Sequence, residues 1–368
     1  RNCRYVAERL SADGGLQFAR AAQEELLREL QSPRGFERLR VDPRLVFDAG
    51  FYPNDIELLE RLPGLRGLPD VRGLNPLSLE DRHWMQRLLR EGAPRVSAYS
   101  FVSLWLWQDL YCFEWKLVQG ALCLFASNGN CAFMPLPPLG GGERDLILQQ
   151  CAFELEGMGA GSSARLENLL ETDCRSFEAL GWEVYPKGVE FLYERKDLAE
   201  LHGRRYESKR NLCHQFEALE PVYAPYCGED REAVRALYEK WVLQKKARLQ
   251  DPIAAGLLED QGIALKRALE SVQELGLLGR CVRVKGELAG FSFGFELNPD
   301  VFCVLFEITD LECKGAAAFL FREFCREMEP YPWINAMDDS GLDSVTWTKR
   351  SYYPAEEIPL FNARPADE

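Results

Sequence analysis

The order of strand-like and helical segments repeats along the chain, and this repeat limits the possible folds more than any other feature of the sequence. Residues 121–194 hold an apolar hairpin, a glycine-rich loop, and then helix, strand, helix and strands. Residues 280–365 hold a strand meander, a glycine-bearing loop, and again helix, strand, helix and an extended segment. This alternation indicates an α+β fold of two domains, each with a mixed sheet flanked by helices.

The length of the chain agrees with this organisation. Its 368 residues provide two domains of about 150 residues and an appendage. Residues 1–75 carry the segment ARAAQEELLREL and end in a linker rich in glycine and proline, which predicts an N-terminal helical extension. We place the first domain at residues 76–200, opened by a capping box at Ser78, and the second at residues 201–368.

The charge of the chain restricts its partners. Lys and Arg number 44 and Asp and Glu number 58, so the net charge is 44 − 58 = −14. An acidic protein is a poor general binder of nucleic acid or anionic membrane, and any such contact requires a local basic patch. The sequence predicts no membrane-spanning helix, since its longest uncharged stretch is broken by polar residues and prolines.

The twelve cysteines favour the reducing cytoplasm as the location of the protein. They form no CxxC pair, and most lie inside apolar runs such as LCLF and VFCVLF. Free cysteine in such runs behaves as a small buried hydrophobe, so this spacing argues against a zinc ribbon and a disulfide scaffold. We expect neither a metal site nor a tightly bound cofactor.

One local basic patch lies at the start of the second domain. Four cations fall within seven residues of a predicted helix, against a single acid: Arg204, Arg205, Lys209 and Arg210. Together with Asn211, this patch can hold the phosphates of an anionic donor such as the acceptor end of a tRNA. A solvated helix face, or a salt-bridge seam between domains, remains the alternative.

A single carboxyl group, Glu307, interrupts the apolar strand VFCVLFEIT. A buried carboxylate is costly unless it is paired or functional, and burial raises its pKa towards the range of a general base at neutral pH. Strand alternation predicts that Glu307 shares a face with Leu305 and Cys303. The alternative is a surface or salt-bridged glutamate at a strand end. Glu296 in FGFEL carries the same argument more weakly, and we take it as a candidate acceptor-binding residue.

Polar residues also follow the predicted strand WINAMDD. Asn335, Asp338 and Asp339 fall at its end, where functional groups are common, and two adjacent acids can position the cationic amine of an acceptor. A metal at this position lacks a third ligand at suitable spacing. A helix N-cap formed by Asp339 or Ser340 is the structural alternative.

Four stretches, taken in order, are specific: CAFMPLPPLG, LHGRRYESKRNLCHQFEA, GELAGFSFGFEL with FEITDLECKGAAAFLF, and INAMDDSGLDSVTWTKRSYYPAEEIPLFNARP. They resemble a bacterial family of uncharacterised proteins grouped with the C-terminal catalytic domain of phosphatidylglycerol lysyltransferase, over about Leu77 to Pro365. The resemblance implies two tandem GNAT-like domains and a likeness to the Fem-type aminoacyltransferases, which move an amino acid from aminoacyl-tRNA to an amine or hydroxyl. The sequence shows no counterpart of the lysyltransferase's membrane half, so phosphatidylglycerol is not carried over as the acceptor.

The GNAT likeness also implies a donor-binding loop. In GNAT enzymes the pattern Q/R-x-x-G-x-G/A binds the pyrophosphate of acyl-CoA with backbone N–H groups and a helix N-terminus. The matching window here includes Lys314 and Gly315 and starts at Glu312. The first position departs from the pattern, and a glutamate there repels a pyrophosphate.

Two further roles follow from the same likeness. GNAT enzymes often place a tyrosine after this loop as the acid for the leaving group, so Tyr352 and Tyr353 are candidates. Lys349 is then the candidate for stabilising the developing oxyanion. Packing of the tyrosines and solvent exposure of the lysine form the alternative interpretation.

These residues lead to two hypotheses of different classes. The first is an acyl- or aminoacyltransferase, with Glu307 as base, that moves a group from aminoacyl-tRNA or acyl-CoA as co-substrate to an amine or hydroxyl of a small molecule, lipid or peptide. The second is a catalytically degenerate GNAT pair that serves as a ligand-binding or regulatory module, which the net charge and Glu312 favour. The sequence leaves the donor, the acceptor and the oligomeric state open.

Overall fold

The computed structural model describes residues 73–92, 94–247 and 252–366. Within them the chain is an α+β protein with mixed sheets flanked by helices, as the repeated order of elements predicts. The helical extension predicted for residues 1–75 lies, up to residue 72, outside the described residues.

The described strands are β1 (Asn75–Pro76), β2 (Cys112–Val118), β3 (Ala121–Asn128), β4 (Cys131–Phe133), β5 (Leu166–Leu170), β6 (Trp182–Glu194), β7 (Val222–Pro225), β8 (Leu278–Val284), β9 (Glu287–Asn298), β10 (Val301–Thr309), β11 (Trp333–Asp338) and β12 (Glu356–Pro365). The described α-helices are α1 (Arg82–Leu89), α2 (Phe101–Leu106), α3 (Arg144–Gly157), α4 (Glu171–Ala179), α5 (Arg195–Glu200), α6 (Glu207–Glu217), α7 (Arg231–Lys246), α8 (Pro252–Glu270), α9 (Val272–Leu275), α10 (Ala316–Glu327) and α11 (Asp343–Arg350).

The chain divides into two compact units. The first contains Tyr111–Val184 together with the described residues before Gly92 and after Phe361. The second joins Gly92–Leu110 to Tyr185–Phe361. Every candidate site residue named above belongs to the second unit.

The first unit carries an antiparallel sheet in the order β1-β2-β3-β4. The capping box predicted at Ser78 forms, because the Asp81 carboxylate accepts hydrogen bonds from the Ser78 N–H and hydroxyl, both at 2.9 Å. The same carboxylate accepts the indole N–H groups of Trp84 and Trp115, whose rings meet edge to face at 5.0 Å. The buried charge of Asp81 is thereby satisfied by four donor groups.

The second unit is built on strands in the order β12-β6-β11-β10-β9-β8-β7. β8, β9 and β10 form the predicted antiparallel meander. β10 and β11 run parallel, but they pair only over residues 301–303 and 333–335. Beyond this point the two strands part, and residues 304–309 have no described strand beside them on the β11 side. An opening between neighbouring parallel strands, at their carboxyl ends, is a common place for ligand binding in open sheets.

A β-bulge in β10 decides which face of the sheet its carboxyl group joins. The pairing with β9 skips Leu305, because Val304 and Phe306 oppose consecutive residues of β9. One extra residue reverses the alternation of side chains between the two faces. The expectation that Glu307 shares a face with Cys303 is therefore wrong, and Glu307 turns to the face that Val304 occupies in the core.

The core of this unit lies between the sheet and helices that include α6 and α10. Phe216 of α6 packs on Phe319 of α10 with ring centres 5.2 Å apart. α10 begins directly after Gly315, which has φ +87° and approaches the Leu212 carbonyl so closely that a side chain there would collide with it. The order of central strand, glycine loop and helix is the GNAT-like order predicted for this domain.

Candidate functional site

The Glu307 carboxyl group lies on the core side of β10 and is partly exposed. Its charge acts on Cys325 and Tyr352, both members of the core cluster. Burial raises the pKa of Glu307 to about 8, and the charges of Lys209 and Lys349 oppose this rise. The group therefore exchanges its proton near neutral pH, as a general base must.

Lys209 reaches the same place from α6. Its ammonium donates a hydrogen bond to the Ser351 hydroxyl oxygen at 2.7 Å and lies 3.9 Å from the centre of the Tyr352 ring. Burial lowers the pKa of Lys209, and the charge of Glu307 opposes this fall. The contacts of Lys209, which the sequence predicts as part of a phosphate-binding patch, are with Ser351 and Tyr352, and its charge interacts with that of Glu307.

Lys349 approaches from α11, on the side of β11. Its ammonium donates hydrogen bonds to the backbone carbonyls of Ala336 at 2.6 Å, Met337 at 3.2 Å and Asp338. Burial lowers the pKa of Lys349, and nearby acids, led by Asp338 and then Glu190, oppose this fall. Lys349 is therefore hydrogen-bonded to the end of β11, and its charge also acts on Glu307.

Of the two candidate tyrosines, Tyr352 joins these residues and Tyr353 points outward. Tyr352 is 8% exposed, its ring meets Phe321 edge to face at 5.1 Å, and burial holds the pKa of its phenol well above the usual value. The Tyr352 hydroxyl makes no hydrogen bond with any described residue. Tyr353 is 45% exposed and lies under the Arg205 guanidinium, 5.4 Å from its ring centre. Of the two tyrosines, Tyr352 is thus the one that contacts Lys209 and interacts electrostatically with Glu307.

We call Glu307, Lys209, Lys349 and Tyr352 the central cluster. The Glu307 carboxyl group forms no hydrogen bond or ion pair with any described residue, although the charges of both lysines act on it. A carboxyl group with a raised pKa, a cation and a phenol in one cluster can take a proton from an amine, stabilise an oxyanion and return a proton.

A second buried carboxyl group was not singled out from the sequence. Glu190 in β6 is 3% exposed and accepts hydrogen bonds from the Ser97 N–H at 2.8 Å, the Ser97 hydroxyl at 2.6 Å and the Asn335 amide at 2.6 Å. Burial raises the pKa of Glu190, and these donors, with Ser97 first, oppose the rise. The signal that found Glu307, a carboxyl group among apolar strand residues, also applies to Glu190 in VEFLYER.

Asn335, a candidate for binding the acceptor substrate, is fully buried, and its hydrogen bonds fix the backbone around it. Besides Glu190, its amide donates to the Arg95 carbonyl at 2.7 Å. Its side-chain oxygen accepts the Met337 N–H at 2.6 Å. These bonds hold the end of β11, whose carbonyls bind Lys349.

Asp338 and Asp339 use their carboxylates locally. Asp338 accepts the Ser340 N–H at 3.1 Å, and Asp339 accepts the Thr346 hydroxyl at 2.6 Å. The N-cap position of α11 is Leu342, so neither Asp339 nor Ser340 fills it. Asp338 nevertheless affects the central cluster, because its charge raises the pKa of Lys349 against the lowering caused by burial.

Glu296 lies apart from the central cluster. It opposes Phe302, five positions before Glu307 in β10, which corresponds to about 16 Å along a strand. Its carboxylate accepts a hydrogen bond from the Tyr331 hydroxyl at 2.8 Å. The structure therefore does not bring Glu296 together with the other candidate residues.

The remaining candidates of the basic patch lie on the surface. Arg205 donates to the Asp197 carboxylate at 2.5 Å, and Arg210 donates to the Gly203 carbonyl at 2.6 Å. Asn211 is exposed. Both arginines thus have partners within their own segment.

The candidate phosphate loop is only partly open. Lys314 is exposed, whereas Gly315 is packed against α6. Glu312 has a side chain that is 77% exposed and pairs with Lys240 at 3.3 Å. A negative charge therefore stands at the first position of this loop.

In residues 73–92, 94–247 and 252–366, no group of three or more His, Cys, Asp or Glu residues is arranged to hold a metal ion. The same part of the chain contains no helix with both the length and the apolar character that crossing a bilayer requires.

Three solved structures share this fold. A conserved protein of unknown function from Bacteroides thetaiotaomicron is 23% identical, with a TM-score of 0.71 over 79% of this chain and 99% of that one. The C-terminal domain of a putative lysylphosphatidylglycerol synthetase from Agrobacterium fabrum is 12% identical, with a TM-score of 0.56 over 79% and 93%. L-PGS from Bacillus licheniformis is 14% identical, with a TM-score of 0.53 over 77% and 92%.

The family comparison covers most of the sequence. No curated protein matches the chain significantly. The family model described as "Phosphatidylglycerol lysyltransferase, C-terminal" matches residues 90–364, a range that contains the whole central cluster. The resemblance predicted from four sequence stretches is thereby confirmed, and the chain belongs to the phosphatidylglycerol lysyltransferase C-terminal family.

Proposed function

We propose that this protein is an aminoacyltransferase that moves an aminoacyl group from an aminoacyl-tRNA to the amine or hydroxyl of an acceptor. The observation that carries the proposal is Glu307, whose pKa is raised to about 8 and whose carboxyl group interacts electrostatically with Lys209 and Tyr352 but forms no ion pair with a described residue. Membership in the family supports a transferase, and the names of two structural relatives support an aminoacyl group.

The proposed reaction follows from the groups of the central cluster. The acceptor nitrogen attacks the ester carbonyl carbon, the C–N bond forms, and the carbonyl electron pair moves to its oxygen. The Glu307 carboxylate takes the proton that the nitrogen loses. The ester C–O bond then breaks, Tyr352 gives its proton to the leaving ribose oxygen, and the proton on Glu307 restores the phenol. The net result is an amide and a free ribose hydroxyl.

Two observations favour an aminoacyl ester over an acyl-CoA thioester as donor. The loop at Gly315 lies directly against the Leu212 carbonyl of α6, which occupies space beside the loop. The carboxylate of Glu312 is largely exposed at the start of the same loop and repels a pyrophosphate.

The test compares possible donors side by side. Thermal shift and mass spectrometry are run with acetyl-CoA, longer acyl-CoAs, CoA, and charged and uncharged tRNA pools. Release of uncharged tRNA and the mass gain of an acceptor panel then measure turnover. We expect binding and turnover with the charged pool alone.

Variants link turnover to the central cluster. Glu307→Gln keeps the side-chain shape, so it should retain donor binding and lose at least about 100-fold in turnover. Glu287→Gln, an exposed carboxyl group in β9, is the matched control and should keep full turnover. A thermal shift with acyl-CoA alone would show that the donor is acyl-CoA rather than aminoacyl-tRNA. Unchanged turnover in Glu307→Gln would show that Glu307 is not the base. Binding of a donor without turnover would support a ligand-binding module instead.

A further inference from the structure

The two lysines of the central cluster differ in how many of their N–H groups already have acceptors. A lysine ammonium carries three donors and no acceptor. Lys349 directs hydrogen bonds to three carbonyls, those of Ala336, Met337 and Asp338. A substrate oxygen can bind Lys349 only if one of these carbonyls loses its partner.

The ammonium of Lys209 uses fewer of its three hydrogen-bond donors. Its ammonium makes one hydrogen bond, to the Ser351 hydroxyl oxygen, and none to any other described residue. The direction of that bond is settled, because the Ser351 hydroxyl gives its own proton to the Thr348 carbonyl at 2.5 Å. Two N–H groups of Lys209 therefore have no hydrogen-bond acceptor among the described residues.

The position of the Lys209 ammonium is nevertheless fixed. The Ser351 oxygen holds it at 2.7 Å, and the Tyr352 ring covers it at 3.9 Å from the ring centre. A cation between a hydroxyl oxygen and an aromatic face is held by two attractive contacts. A donor that is held in place and still unsaturated meets the requirement for stabilising charge that develops during a reaction.

We propose that Lys209, rather than Lys349, donates to the oxyanion of the addition intermediate, and that Lys349 is a positioning residue that holds the end of β11. The oxyanion role rests on the function proposed above, whereas the donor count of the two lysines is independent of it. As the C–N bond forms, the carbonyl pair moves to the oxygen, whose negative charge then lies against the free N–H groups of Lys209. Lys209 keeps its proton, and the pair returns when the leaving oxygen departs.

The first test measures anion binding without turnover. Methylphosphonate, a tetrahedral anion, is titrated into the full-length protein labelled with 15N-lysine, and binding is followed by NMR and calorimetry. The variants are Lys209→Met, Lys349→Met and Lys196→Met. The last is a matched surface control, because the Lys196 side chain is 72% exposed.

We expect saturable binding by the native protein and the Lys196 variant, and binding at least about tenfold weaker in Lys209→Met. Lys349→Met should bind within about threefold of the native protein wherever it is folded by near-UV circular dichroism. Lys349→Arg, which keeps donors for the three carbonyls, provides the same comparison if the methionine variant does not fold. Native-like binding by Lys209→Met, no saturation of the native protein, or equal loss in a folded Lys349 variant would overturn the proposal.

The second test uses turnover. With the donor found in the screen, Lys209→Met should lower kcat about 100- to 1,000-fold while KM stays within about threefold. Lys209→Arg, which keeps a cation with several donors, should recover at least about tenfold of the loss. Native turnover that survives Lys209→Met refutes this role of Lys209. Absence of native turnover with every donor refutes the proposed function instead, and the methylphosphonate comparison then judges the donor count alone.

Discussion

The Oε2 atom of Glu190 accepts a hydrogen bond from the Asn335 amide across 2.6 Å, although the two residues are 145 positions apart in the chain. The bond joins β6 to β11 at the residue where the register of β11 shifts, between Asn335 and Asp338. The carbonyls that follow Asn335 bind Lys349, so this buried pair sets the position of one side of the central cluster.

We expect Glu190→Gln to destabilise the protein by about 1–3 kcal/mol, because the new amide group places a donor against the donors that Glu190 now accepts. Chemical denaturation monitored by tryptophan fluorescence measures the change. Glu194→Gln, an exposed carboxyl group in the same strand, should stay within about 0.5 kcal/mol of the native protein. Equal effects of the two substitutions would contradict the role given to the buried network.

Because the pKa of Glu307 is raised, replacing its carboxyl group should stabilise the protein by an amount that depends on pH. From pH 4.5 to about 8 the folded protein holds a proton on Glu307 that the unfolded chain has lost. The contribution of Glu307 to the free energy of unfolding is greatest below its pKa in the unfolded chain. It is lost as the pH rises through its pKa in the folded protein. Relative to the native protein, Glu307→Gln should therefore be unchanged near pH 4.5 and more stable by about 2–4 kcal/mol above pH 8.

Denaturation curves at both ends of this pH range check that expectation. Glu287→Gln serves as the control, since its carboxyl group is exposed on the neighbouring strand β9. A difference for Glu307→Gln that is the same at both pH values would show that the carboxyl group is not held in its neutral form.

The same pKa predicts the shape of the activity profile. The base form of Glu307 grows as the pH rises, so kcat/KM should increase with an apparent pKa near 8. Lys209 lowers the pKa of Glu307 by its charge, and Lys209→Met should move this ascending limb to higher pH in the remaining activity. Titration of the acceptor amine itself would leave the limb in place in this variant. A limb that does not move would therefore assign it to the acceptor.

Two glycines provide a matched pair for the packing of α6 on α10. Gly315 and Gly286 have φ values of +87° and +88°, but only at Gly315 would a side chain collide with a carbonyl, that of Leu212. Gly286→Ala should cost about 1–2 kcal/mol from backbone strain alone. Gly315→Ala should cost at least about 2 kcal/mol more, because the backbone of α6 must move. Similar losses, measured by denaturation, would argue against the close approach of the two helices.

The elements of this fold were largely predictable from local patterns. The meander β8-β9-β10, the helix after Gly315 and the capping box at Ser78 all follow from apolar periodicity and turn chemistry. Two segments, WEVYP and VEFLYER, predict two strands, but they form the single strand β6 because the residues between them continue the extended backbone. Local sequence carries no signal that separates an extended linker from a strand interior.

The candidate site was predictable only in part. Glu307 is recognisable as a carboxyl group in an apolar strand, and Tyr352 follows from the family resemblance. The partners of Lys209 and Lys349 were not predictable, because they depend on which helix packs against which strand end. The bond between Ser97 and Glu190 joins segments 93 residues apart, a distance at which neither periodicity nor spacing carries information.

The bulge at Leu305 gives the length of β10 a role of its own. Because successive strand residues alternate between faces, adding or removing one residue acts like a change of reading frame for everything that follows. A chain that retained every side chain of the central cluster but lacked this one position would turn its carboxyl group to the opposite side of the sheet. We therefore expect relatives that have a residue aligned with Leu305 to place the carboxyl group on the core face of the sheet. Relatives with a gap at that position should place it on the opposite face, even if they keep the fold and every side chain of the central cluster.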